Sequence, residues 1–327
     1  MKRTFVKGGL LAFFTAMLLF VSCQGKKATD SASGSVKLGV VYGAAHGVNC
    51  FSVAAAVVDA SDGTILDAFL DEYQYLDTRV MGVDGVPNSA SNFGLGNIET
   101  VVLGSKKHNT DYYSSLMTEH AGATVTIDAN YAALEAYAAG KKSGALADVD
   151  AVSGATLADT ANYLKLIAEA ADVAMASENS YVVSNVADVK LTSADYSAHG
   201  NQCFAFIVDA VEGDKIVATY IDEFQYFDIA VDGIIGVPNS DAGFGQNYAM
   251  GKILGSKKQN SEYYSSLMKD HAGSTVSLDA NYAALEAYAV GKTVAELDKG
   301  VDTVSGATLA DTPNYLKGVA YAAIHSK

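Results

Sequence analysis

A nine-residue stretch, Val152-Ser153-Gly154-Ala155-Thr156-Leu157-Ala158-Asp159-Thr160, occurs twice in this chain, the second time as Val304 to Thr312. An aspartate stands two positions before each copy, Asp150 and Asp302, and a helix-forming run with Asn-Tyr-Leu-Lys follows each. Ser-Gly-Ala-Thr ahead of a helix is a small-residue turn that leaves a hydroxyl exposed, and its glycine allows backbone angles that other residues resist. A hydroxyl near the positive end of a helix suits a phosphate, which gains free N–H donors and a dipole contribution of ~0.3–1 kcal/mol. Thr160 and Thr312 are the expected N-caps, because Pro313 follows Thr312 and proline favours the first helical position. A start at Thr156 or Thr308, with Asp159 or Asp311 completing a capping box, would place Pro313 inside the helix at a cost of ~3 kcal/mol. On spacing alone, two capped helices with nothing attached remain the alternative.

Asp-x-x-Ser-Gly-Ala-Thr, complete at Asp150 to Thr156 and again at Asp302 to Thr308, resembles the flavinylation signature of the FMN-binding domain family. That family includes the covalent-flavin subunits of the sodium-pumping quinone reductase and of its ferredoxin-dependent relative. The resemblance implies that Thr156 and Thr308 are each esterified to an FMN phosphate by a dedicated flavin transferase, which takes FAD and releases AMP. Asp150, Ser153, Gly154 and Ala155, with Asp302, Ser305, Gly306 and Ala307, would be the parts that the transferase reads and the cofactor meets.

The elements that must position these turns come in two copies. His46-Gly47 with Cys50-Phe51 matches His199-Gly200 with Cys203-Phe204; Asp71 to Tyr75 matches Asp222 to Tyr226; Gly85 to Ser89 matches Gly236 to Ser240; Asp128 to Tyr137 recurs as Asp279 to Tyr288. A period this long means duplicated domains rather than a solenoid, and each half is large enough to bury its own core. The expected organisation is residues 1–22 as a signal peptide, 23–35 as a lipidated cysteine and tether, 36–180 as the first FMN-binding domain and 181–327 as the second. The spacing predicts an α+β fold in which each domain is a small twisted antiparallel sheet flanked by helices. Cys50 to Val58 and Thr64 to Leu70 read as strands split by a hairpin at Asp62-Gly63, and Cys203 to Val211 with Lys215 to Ile221 repeat it across Gly213-Asp214. A short helix near Tyr112 and one from about Ala129 to Ala139 precede each signature turn. Asn162 to Met175 carries Tyr163, Leu164, Ile167, Ala168 and Ala171 along one helical stripe.

Other reactive residues are sparse. Cys50 and Cys203 occupy equivalent places, which favours two small buried residues over a disulfide between the halves. No Cys-x-x-Cys-His stands in the sequence to attach haem covalently, and no cysteine cluster suggests iron–sulfur ligation. His46 and His199 lack a second ligand at useful spacing for a metal. A flavin ring needs flat apolar faces with donors at its polar edge. Tyr75, Tyr226, Phe93 and Phe244 recur in both halves, with core packing as their simplest role. The loops Pro87-Asn88-Ser89 and Pro238-Asn239-Ser240 are the expected lining of the isoalloxazine, through Asn88 and Asn239.

The N-terminus reads as an export signal: Lys2, Arg3 and Lys7, then a short apolar run from Leu10 to Val21, then Val21-Ser22-Cys23. It resembles a lipoprotein signal, with cleavage before Cys23 and diacylglycerol on its sulfur; an ordinary signal peptide with an incidental cysteine is the alternative. Multiple acyl chains such as palmitate would anchor stably at ~0.8 kcal/mol per buried CH₂. Gln24 to Ser35 has a tether's composition. Losing Lys2, Arg3 and Lys7 with no acid takes the formal charge of −15 to −18. So acidic a protein is ill suited to nucleic acid or anionic lipid.

Signal, tether and two signature-bearing domains together resemble the doubly flavinylated surface lipoproteins of flavin-based extracellular electron transfer. The resemblance implies a redox carrier rather than a substrate-specific enzyme, lipid-anchored to the cell membrane and facing outside the cytoplasm. A membrane NADH dehydrogenase and quinone pool would be its donor, and ferric iron or another extracellular compound its acceptor. Alternatives are a flavin-bearing donor subunit of a fumarate-type reductase and a flavin-free surface binding lipoprotein.

Overall fold

The computed structural model describes residues 33–325 apart from 242, 243, 245 and 246. Lys2, Arg3, Lys7, the apolar run, Cys23 and the tether as far as residue 32 lie outside the described residues. The first copy supplies β1 (Gly34–Gly43), β2 (Cys50–Asp59), β3 (Ile65–Asp77), β4 (Val101–Ser105), α1 (Thr110–Ala121), α2 (Ile127–Ala138) and α3 (Thr160–Ala176). After β5 (Tyr181–Val183) the second supplies β6 (Val189–Tyr196), β7 (Cys203–Glu212), β8 (Lys215–Asp228), β9 (Lys252–Ser256), α4 (Ser261–Ala272), α5 (Leu278–Ala289), α6 (Val294–Asp298) and α7 (Thr312–Ile324). Gly34 and Ser35, expected at the end of the tether, are already strand.

The strands make two antiparallel sheets, in the orders β4-β3-β2-β1-β5 and β6-β7-β8-β9. β5 comes from residues expected to open the second domain, yet it pairs with β1 of the first sheet. β2 and β7 show why the sheets stack. Phe51, Val53, Ala55 and Val57 turn to one side, into a core shared with Phe204, Phe206, Val208 and Ala210. Ala54, Ala56 and Val58 turn to the other, against Tyr131, Leu134, Tyr163, Leu164 and Ile167 of α2 and α3. A strand buried on both faces reads as a continuous apolar run rather than an alternating one.

The layers are therefore helices, sheet, sheet, helices, and the two copies form one compact unit. Each antiparallel sheet thus carries helices on one face, and the opposite sheet covers the other. Phe51 lies 5.3 Å from Phe224 and Phe93 lies 5.9 Å from Phe204 across this middle layer. Burial of each such ring contributes roughly 1.5–3 kcal/mol, so the shared core holds the halves together.

α3 and α7 begin at Thr160 and Thr312, with Pro313 in the first turn of α7. The N-cap positions belong to Asp159 and Asp311, not to the threonines. Thr160 Oγ1 donates to the Leu157 carbonyl at 2.8 Å, and Thr312 to Leu309 at the same distance, so neither hydroxyl accepts from the helix. Among the described residues, no helix is long and apolar enough to cross a membrane.

Candidate functional site

The two signature turns have the same geometry. Val152 and Val304 are buried anchors, and the N–H groups of Ala155 and Ala307 return to their carbonyls at 3.0 Å. Gly154 and Gly306 sit at φ of 93° and 91°, a left-handed backbone that suits glycine. An added Cβ there would also lie 3.4 Å from Ala133 and 3.3 Å from Ala284. Thr156 and Thr308 are exposed, as are Asp150, Ser153, Asp302 and Ser305. Ala155 and Ala307 are half-buried.

What holds each threonine is an asparagine that the sequence reading passed over. Asn130 and Asn281, fully buried on α2 and α5, accept the backbone N–H of Thr156 and Thr308 at 2.6 Å. Each Oδ1 also receives the threonine hydroxyl at 3.3 Å. The asparagine Nδ2 groups are committed to the carbonyls of Val125 and Thr126, and of Val276 and Ser277, so the amide cannot turn over. The hydroxyl proton is drawn inward, and in the second turn the Thr308 hydroxyl also lies 3.3 Å from the Ser274 hydroxyl. The exact recurrence of Asp128 to Tyr137 was the one signal in the sequence that could have marked Asn130.

A second strut reaches the turn from the loop between β1 and β2. His46 Nδ1 meets Asp159 Oδ2 at 2.7 Å, and His199 meets Asp311 at 2.6 Å. These histidines brace the residue three positions past each threonine. Among the described residues, no group of His, Cys, Asp and Glu side chains could hold a metal.

Beneath that loop lies a buried polar cluster that spacing did not announce. Lys106 Nζ donates to Glu72 Oε2 at 2.6 Å, with both side chains fully buried. The same oxygen accepts Tyr131 at 2.9 Å and Tyr163 at 2.8 Å, and Oε1 accepts Ser52 at 2.7 Å. Lys257, Glu223, Tyr282 and Tyr315 repeat the arrangement. Burial opposes ionisation of Glu72, but the Lys106 charge and its hydrogen bonds outweigh it and hold the carboxyl below its usual range. Tyr131 comes from the segment that bears Asn130, and Tyr163 from the helix after the turn, so the cluster locks α2 and α3 to the sheet.

Cys50 and Cys203 are buried and free. Their surroundings are more polar than a small apolar role suggests: Cys50 Sγ donates to the His46 carbonyl at 2.8 Å and lies 3.6 Å from Glu72 Oε1. Burial, helped by the Glu72 charge, pushes this thiol up to about 12, and burial with the Glu223 charge does the same for Cys203.

Asn88 and Asn239 are left-handed at φ of 67° and 66° and reach across to the other half. Asn88 Nδ2 donates to the carbonyls of Gly200 at 3.2 Å and Cys203 at 2.8 Å. Asn239 donates to Gly47 at 3.0 Å and Cys50 at 2.7 Å. Each therefore grips the loop whose histidine braces the opposite half's signature turn. Phe93 and Phe244 are buried in the shared core, and the hydroxyls of Tyr75 and Tyr226 bond to each other across it. Comparison with protein-family models, with curated proteins and with solved structures finds no match to this chain.

Proposed function

We propose that this chain is an extracytoplasmic electron carrier bearing two FMN groups, each joined through its phosphate to Thr156 or Thr308. The observation that carries this reading is the complete Asp-x-x-Ser-Gly-Ala-Thr turn, present twice, with both threonines exposed. The residues fit the group: each exposed threonine is held by a buried asparagine, and the turn stands at the head of a helix, where a phosphodiester anion is favoured.

The flavin would supply the redox chemistry, and the chain supplies its placement. Asn130 and Asn281 hold the attachment turns, while His46 with Asp159 and His199 with Asp311 brace their helix ends. Asn88 and Asn239, if they line a flavin, serve the one on the opposite half, since that is the half whose loop they bind. A noncovalent site with a Kd near 1 μM corresponds to about −8 kcal/mol and would stand largely empty where free flavin is scarcer than that. An ester bond removes that dependence. We assign a membrane dehydrogenase and quinone pool as donor, and ferric iron or another extracellular compound as acceptor, with the lipid anchor at Cys23 holding the carrier to the membrane.

The test is intact mass spectrometry after coexpression with a flavin transferase. Two FMN additions are expected, and Thr156→Ala or Thr308→Ala should each remove one. An unmodified wild-type chain under those conditions would overturn the proposal.

A further inference from the structure

The contacts between the halves are reciprocal, and at one pair of equivalent places the sequence breaks the symmetry. On one side, Tyr42 of β1 lies over β8: its hydroxyl donates to Asp222 Oδ2 at 2.8 Å and lies 3.0 Å from the Tyr220 hydroxyl. Its ring meets Phe224 edge-on at 5.1 Å. On the other side, the counterparts of Asp222, Tyr220 and Phe224 are Asp71, Phe69 and Tyr73, and the counterpart of Tyr42 is Asp195. There the shorter side chain leaves a cavity of about 640 Å³ between the halves, lined by these four residues, Lys107 and Phe206 among others. That volume is in the range of small-molecule sites.

The filled side shows what the open side lacks. Asp222 Oδ2 accepts Ser256, Tyr42 and Tyr220. Asp71 is almost fully buried and lines the cavity, and among the described residues its Oδ2 accepts Ser105 without the two tyrosine hydroxyls that its counterpart meets. Asp195 gives one oxygen to the Tyr73 hydroxyl at 2.8 Å. The walls carry Asp71, Asp84, Asp128, Glu135 and Asp195, while Lys107 is already paired with Glu135 at 2.7 Å. Phe69, Tyr73 and Phe206 supply ring faces.

We propose that this cleft binds a phenol-bearing arylalkylamine, with its ring where Tyr42 sits in the other cleft, its hydroxyl on Asp71 and its ammonium on Asp195. Burial pushes the Asp195 carboxyl up to about 8, with Asp71 adding to the effect, so a cation beside it is favoured by restoring its charge. The site needs no flavin, and its test does not depend on one.

Isothermal titration of the full-length chain with tyramine should give saturable one-to-one binding. p-Cresol, which lacks the amine, and 3-(4-hydroxyphenyl)propionate, which carries a carboxylate, should each bind at least about tenfold more weakly, a difference of ~1.4 kcal/mol. Asp195→Tyr gives the first cleft the residue of the second and should abolish binding with an unchanged circular dichroism spectrum. Should that variant fail to fold, Asp195→Asn should still weaken tyramine about tenfold or more. Absence of saturable tyramine binding, equal binding of the propionate, or binding unchanged in Asp195→Asn would overturn the proposal.

Discussion

Replacing Lys106 with methionine removes the charge that compensates Glu72 inside the first half. The pair is 2.6 Å apart with neither side chain exposed, so solvent cannot take over the role of the ammonium. Removing one partner of a buried pair costs roughly 3–5 kcal/mol, well above the ~0–1 kcal/mol of a surface bridge. For a unit of this size that corresponds to a fall in Tm of roughly 5–8 °C. The pH dependence adds a sign. In the wild type Glu72 is held below its usual range, so its contribution is present above the unfolded carboxyl pKa and is lost as pH falls through the folded value. In the variant the uncompensated carboxyl is pushed up, so the variant recovers stability as pH falls toward the unfolded value. The gap between the two proteins should therefore be widest near neutrality and shrink on acidification. Urea unfolding followed by far-ultraviolet circular dichroism, at neutral pH and near pH ~4.5, measures both quantities. A loss below about 1 kcal/mol, or a gap that does not narrow in acid, would refute the reasoning. Lys257→Met should behave alike, since Lys257 and Glu223 repeat the geometry at 2.6 Å.

Three further outcomes follow from the same geometry. Gly39→Ala would place a Cβ 2.1 Å from the Ala170 carbonyl oxygen and 2.5 Å from the Ala174 nitrogen, forcing α3 off the sheet; thermal unfolding should show a loss of ~1–3 kcal/mol, and an unchanged Tm would contradict that contact. Asn88→Gly keeps the left-handed backbone and deletes the hydrogen bonds to Gly200 and Cys203, so denaturant titration should register a loss of roughly 1–3 kcal/mol. Asn88→Ala should lose more, because alanine resists that backbone, and equal losses would argue against the strained position. Cys50 and Cys203, both pushed up to about 12, should react with a chromogenic disulfide reagent only once the chain unfolds; rapid release of colour from native protein would show that the thiols are reachable.

Much of the local structure was legible because it depends on near neighbours. The hairpin strands, the helix near Tyr112 and the stripe Tyr163, Leu164, Ile167 and Ala171 lie where periodicity placed them. β3 runs past the expected end at Leu70 to Asp77, carrying the acidic pair Asp71 and Glu72 inside the strand. They are buried, matched by Ser105 and Lys106 from an adjoining strand and turn about thirty residues on. The signature turns were legible as motifs, but Asn130 was not, since nothing local says that its amide meets a turn 26 residues away.

The sequence by itself determined that one domain plan is written twice and that each copy ends in the same hydroxyl-bearing turn before a helix, because repetition and turn chemistry are carried by adjacent residues. Only the tertiary structure decided that the two sheets stack face to face, that Asn88 and Asn239 each serve the opposite half, and that Asp195 in place of a tyrosine leaves one of two equivalent clefts open. The physical reason is that these depend on which apolar face meets which. An apolar run such as Phe51 to Val58 is compatible with a buried surface of any origin, and only the partner's shape and its unmatched polar groups select one.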